Sequence, residues 1–143
     1  GDSIVFFRRS DVISAGDVFS TLSYPRISQR AGGTIGGEIA ALNRILDLAV
    51  PREKQEGGTY IIPGHGRAGD EADVVEYRDM IVIIRDRVQD LVKKGRSLAQ
   101  IKAAKVSFDY DTRYSVSDWT GDQFVESVFA TLTPTSQPGP RRP

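Results

Sequence analysis

The 143-residue chain has no cysteine, one histidine (His65), one methionine (Met80) and one tryptophan (Trp119). Without cysteine there are no disulfides, no thiolate metal ligands and no cysteine nucleophile. Net charge is also missing: 19 basic and 19 acidic side chains cancel. No global field therefore draws the chain to nucleic acid or to an acidic membrane surface, and the basic residues are dispersed rather than interleaved with aromatics. There is no run of 18 apolar residues and no signal-peptide pattern, so no membrane partner is expected and the sequence leaves the compartment open. The chain begins Gly1-Asp2 without methionine, which suggests a piece of a longer polypeptide. A Gly-x-Ser-x-Gly elbow is absent. The glycines at 32, 33, 36 and 37 miss the dinucleotide fingerprint, because Thr34 stands where its second glycine belongs. Asp109 and Asp111 miss the Asp-x-Asp-x-Thr phosphotransferase pattern by one position, and 108–114 reads as a packed loop.

What the chain does hold is centred on Thr59–Asp70. Tyr60, Ile61 and Ile62 read as a short buried strand that breaks at Pro63 and delivers His65 on a loop, flanked by Gly64 and Gly66. A neutral imidazole there suits a metal ligand or a general base, and equally a loop histidine held by a backbone hydrogen bond. Upstream, residues 3–7 and 11–15 read as a hairpin turned by Arg8-Arg9-Ser10. Its second strand is expected to end at Gly16-Asp17, which puts the Asp17 carboxylate at a strand tip. Asp17 there is either a site residue or a turn aspartate.

Helical spacing accounts for much of the rest. Ile39, Leu42, Ile45, Leu46 and Ala49 predict a helix over 38–49, stopped by Pro51, after an irregular loop from Phe19 to Gly37. Asp70 is a candidate N-cap for a helix over 71–94 whose stripe is Val74, Tyr77, Ile81, Ile84, Val88 and Leu91, with Gly95 as its stop. Ser97 and Thr120 open capping boxes for two shorter helices, the second running to Leu132. One folded unit over 1–132 and a disordered, proline-rich tail over 133–143 are expected.

Ser-Ala-Gly-Asp-Val-Phe at 14–19, followed some fifty residues later by Ile-Ile-Pro-Gly-His-Gly at 61–66, resembles the second half of a metallo-β-lactamase-fold hydrolase. The resemblance implies an α/β fold forming half of an αββα sandwich, a short mixed sheet covered by helices. It implies that Asp17 bridges two zinc ions and that His65 binds one of them, both as catalytic and metal-binding residues of a centre that hydrolyses an unidentified small molecule. The family's His-x-His-x-Asp-His signature is absent here. Zinc is thus expected to bind weakly or not at all to this chain alone. The implied partner is the missing N-terminal half or, in a homodimer, a second copy. The alternative reading is a metal-free scaffold that associates with itself or with a partner through the uncovered sheet face.

Overall fold

A computed structural model of the chain describes residues 3–54 and 57–133. The expected tail lies outside these residues from 134 onward. Three strands form one mixed sheet in the order β1 (Val5–Phe7), β2 (Val12–Ser20), β3 (Tyr60–His65). β1 and β2 are antiparallel neighbours, and β2 and β3 run parallel. Five helices follow the sequence: α1 (Ile35–Leu48), α2 (Glu71–Lys93), α3 (Leu98–Ala103), α4 (Phe108–Tyr114) and α5 (Gly121–Leu132). The fold class is α/β, as expected.

Alternation along the strands decides what is buried. Ile13, Ala15 and Ile61 point to one face and are fully buried. That face is covered by Ile35, Ile39, Leu42 and Ile45 of α1 and by Val74, Tyr77, Ile81, Ile84 and Val88 of α2. Behind α2, Phe124, Val125 and Val128 of α5 close the core. The opposite sheet face carries Phe7, Val12 and Tyr60 in one cross-strand row and Val5, Ser14 and Ile62 in the next. Val5, Phe7, Tyr60 and Ile62 are all exposed, and among the described residues no element packs on that face.

Several expected boundaries move. β2 does not end at Gly16-Asp17 but continues to Ser20, because a bulge at Gly16 (φ +54°) lets the strand shift phase and go on. The outward positions change from 12 and 14 to 17, and Val18 and Ser20 become buried. β3 likewise runs through Pro63, so His65 is the last strand residue rather than a loop residue. Proline is tolerated there because it faces Gly16 at the register slip, where a ladder bond is already broken. α1 begins three residues earlier than expected, at Ile35, since the side chain of Thr34 accepts from Gly37 N and caps it. Residues 108–114, expected as a loop, are helix α4.

The remaining helix ends follow their signals. Asp70, Ser97 and Thr120 each make reciprocal capping boxes. Gly95 (φ +72°) ends α2 with Gly95 N bonded to Val92 O and Arg96 N to Leu91 O, a Schellman pair.

Candidate functional site

Asp17 and His65 sit beside each other near the C-terminal ends of the parallel pair β2 and β3. His65 Nε2 lies 3.5 Å from Asp17 Oδ1, and both side chains are largely exposed, at 75% and 72%. The two residues are 48 positions apart in the sequence, and strand pairing brings them together. Glycine makes the approach possible. A Cβ on Gly64 would fall well inside van der Waals contact distance of Asp17 Oδ1 and would stand 2.9 Å from Gly16 C and 3.0 Å from Asp17 N. The Asp17 carboxylate therefore lies directly against Gly64.

The segment after His65 is fixed from both sides. Thr21 N donates to His65 O at 3.4 Å, and Arg67 N donates to Thr21 Oγ1 at 3.0 Å. Arg67 forks onto Asp73, with Nη1 to Oδ2 at 2.9 Å and Nη2 to Oδ1 at 2.7 Å, while Asp73 Oδ2 also accepts from Asp70 N. Gly69 and Ile61 exchange backbone bonds of 2.9 and 2.8 Å. The turn from β3 into α2 is thus closed by a ring of contacts that holds the His65 backbone.

The Asp73 carboxyl is held below the usual carboxylate range, chiefly by its hydrogen bonds from Arg67. A depressed folded-state pKa contributes stability that is present above the unfolded carboxylate value of about 3.9 and is lost as pH falls through the folded value. Urea midpoints measured between neutral and strongly acidic pH should therefore fall below about pH 4 in the native chain. In Asp73→Asn, part of that acid loss should disappear. Identical pH profiles for the two proteins would refute this role.

A cleft of about 560 Å³ opens beside the pair. Asp17, His65, Ser23, Arg26, Thr34 and Glu38 are among the residues that line it. Its size is in the range of small-molecule sites. The walls are anchored from behind by buried tyrosines. Tyr24 donates to Asp111 Oδ1 at 2.8 Å and stacks on Phe124 at 4.9 Å between centroids. Tyr77 donates to Ser23 O at 3.1 Å. Burial first, and then a neighbouring carboxylate (Asp111 for Tyr24, Glu38 for Tyr77), pushes both phenols well above their ordinary value, so they serve as fixed donors. Arg26 lies over the Trp119 ring at 5.1 Å and pairs with Asp118 at 2.8 Å.

The donor set can be tested against zinc. Two ligands at about 2.0–2.2 Å in a tetrahedral shell stand about 3.4 Å apart, close to the Asp17–His65 separation. A catalytic zinc takes about three protein ligands. Among the described residues no group of three or more His, Cys, Asp or Glu could hold an ion. The pair fits two positions of a metal shell and does not complete one.

Sequence reasoning found both members of the pair and missed what shapes the cleft. Arg26, Thr34 and Glu38 lie in a stretch read as a plain loop and the start of a helix. The Arg67–Asp73 fork had one legible signal, an aspartate three residues after the N-cap Asp70. No protein-family model matches the chain, and a search of curated proteins finds no match.

Proposed function

We propose that this chain is the C-terminal portion of a zinc-dependent hydrolase of the metallo-β-lactamase kind, to whose dinuclear centre it supplies Asp17 as bridging carboxylate and His65 as ligand. The observation that carries the reading is the 3.5 Å approach of His65 Nε2, at the end of β3, to Asp17 Oδ1, three residues before the end of the parallel strand β2, beside a cleft. Strand ends give side chains a rigid base and a free head group, and clefts at the carboxyl ends of parallel strands are common ligand sites. The sequence resemblance gives the same two residues these roles. Zinc, if held by Asp17, His65 and ligands from elsewhere, would supply a water with a pKa lowered to about 7 and a Lewis acid for the bond to be cut. The chain's own part is to fix one carboxylate and one imidazole, through the Gly64 contact and the Thr21–Arg67 staple, and to wall the substrate cleft. The remaining ligands come from the polypeptide that covers the exposed sheet face. The chemistry of the cleft does not single out one substrate among β-lactams, thioesters, lactones and phosphoesters.

The exposed apolar face also favours a second reading, a metal-free scaffold that associates through that face. Calorimetric zinc titration of the dilute chain separates the two. On the hydrolase reading the chain binds zinc more weakly than micromolar, and the heat disappears in both Asp17→Ala and His65→Ala. It turns over no chromogenic β-lactam, thioester or phosphoester by itself. A sub-micromolar site that survives His65→Ala would overturn the assignment.

A further inference from the structure

We infer that Arg26 is the anion anchor of the cleft, so that the substrate carries a carboxylate or phosphoryl group besides the bond that is cut. The inference rests on the reading of the cleft beside Asp17 and His65 as the substrate site, and it narrows the class of substrate. Three observations meet on this side chain. It lines the same cleft as Asp17 and His65. Its guanidinium lies over the Trp119 ring, with Cζ 5.1 Å from the centroid. Its Nη2 donates to Asp118 Oδ2 at 2.8 Å.

An exposed arginine ordinarily samples many rotamers, and ordering it on binding takes back much of what its contacts contribute. Here the ordering precedes any ligand. Trp119 and Asp118 belong to the turn between α4 and α5, where Val116 and Trp119 exchange backbone bonds of 3.0 and 3.1 Å. The next residue, Thr120, caps α5. On its own side Arg26 follows Tyr24 and Pro25, which are buried. Tyr24 N donates to Tyr114 O at 3.1 Å, and the Tyr24 hydroxyl donates to Asp111 Oδ1 at 2.8 Å. Backbone and head group are thus fixed from two directions, and the guanidinium is a planar donor already in place.

Most of its hydrogen-bonding capacity is left over. A guanidinium has five N–H groups, and Asp118 takes one of them. Among the described residues, Nε and Nη1 have no acceptor. Such groups match the oxygens of a carboxylate or phosphoryl group two at a time. The Asp118 pair is itself exposed, at 54% and 73%, so water screens it and it weakens the charge on Arg26 without cancelling it. Among the described residues Arg26 is also the only lysine or arginine that lines the cleft. The carboxylates there have other engagements. Asp17 stands 3.5 Å from His65 Nε2, and Glu38 is partly buried with an interaction inside the protein. A neutral lactone or thioester leaves the free N–H groups of Arg26 to water, whereas an anionic substrate uses them.

Trp119 is the only tryptophan of the chain, so its indole reports on Arg26. The test is titration of the full chain, in chelator, with benzoate, phenyl phosphate and neutral benzamide, followed by Trp119 fluorescence and by its indole N–H resonance. Arg26→Gln and Arg26→Lys variants whose circular dichroism matches the parent run alongside. Benzoate, phenyl phosphate or both should shift the indole signal saturably, and benzamide should not. The affinity should fall as salt is raised, and by about tenfold or more in Arg26→Gln, the loss expected when a charged hydrogen-bond donor is removed. Arg26→Lys, which keeps the charge without the fork, should retain part of it. A response to benzoate alone supports a carboxylate substrate, and one to phenyl phosphate alone supports a phosphoryl substrate. No response to either anion, an equal response to benzamide, or an affinity unchanged in Arg26→Gln overturns the inference. Zinc titration of the parent and His65→Ala separates the two readings. His65-dependent zinc binding without an anion response overturns the anchor alone. An anion response without any zinc binding supports the anchor and overturns the hydrolase reading.

Discussion

Ile61→Ala is expected to remove about 2–5 kcal/mol of stability, the cost of emptying a core site of an isoleucine side chain. Ile61 is fully buried near the start of β3, opposite Ile13, with α1 and α2 closing over the same face. Its backbone is tied on the far side by the two bonds to Gly69, so the strand has little freedom to collapse into the void. Domains are commonly stable by only about 5–15 kcal/mol, so the loss is a large share of the whole. For a chain of this size it corresponds to a fall of roughly 5–15 °C in Tm. Urea unfolding should show a lower midpoint with an unchanged slope. A loss below about 1 kcal/mol would mean that this sheet face is not packed as described. Because Ile61 lies four residues before His65, the same substitution should broaden the His65 imidazole resonances before global unfolding.

The fold was legible where a local signal decides the outcome. The Asp70, Ser97 and Thr120 caps and the Gly95 stop set the ends of α2, α3 and α5 through contacts within a few residues. It was less legible where partners distant in sequence decide. Pro63 reads as a strand end, yet β3 continues to His65, because β2 bulges at Gly16 at the position where proline has no proton to give. Residues 108–114 mix aromatics and charges without a clean stripe. They become helical because Tyr114 packs with Tyr24 and Tyr77 and Asp111 accepts from Tyr24. Those contacts span tens of residues and leave no periodic trace.

The candidate pair was legible for a different reason. A lone histidine between glycines and a Gly-Asp at a strand end are rare enough to be noticed one at a time. Their meeting depends on β2 and β3 being parallel neighbours, and pairing is not encoded in either segment alone. The cleft was legible only as one of two readings of the loop from Phe19 to Gly37, a substrate-lining loop or a plain connection, since Arg26, Thr34 and Glu38 are ordinary residues whose common feature is the space they enclose. The exposed face was half legible. Alternate apolar residues on both sides of short strands show that two faces want cover, and the helices supply cover for one.

Gly64→Ala should damage both the strand pairing and the site. The added Cβ meets the Asp17 carboxylate and two backbone atoms of β2, Gly16 C at 2.9 Å and Asp17 N at 3.0 Å. A flexible carboxylate could rotate away at small cost, but the backbone atoms of a paired strand cannot. Either β2 and β3 part locally or Gly64 is pushed outward. Overpacking of this kind costs about 1–3 kcal/mol. The stability loss is shared with a loss of geometry, since the carboxylate must leave its place 3.5 Å from His65 Nε2. The expected result is a lowered urea midpoint together with the loss of zinc binding attributable to the pair, while helix content is retained. Gly36→Ala is the matched control. Its Cβ would find only Thr34 Oγ1, at 4.0 Å, and the residue lies in the first turn of α1. Alanine there should be neutral or stabilising by up to about 1 kcal/mol, because it lowers the entropy of the unfolded chain. Equal midpoints and equal zinc titrations for Gly64→Ala and the parent would show that β2 and β3 are not in the close register that joins Asp17 to His65.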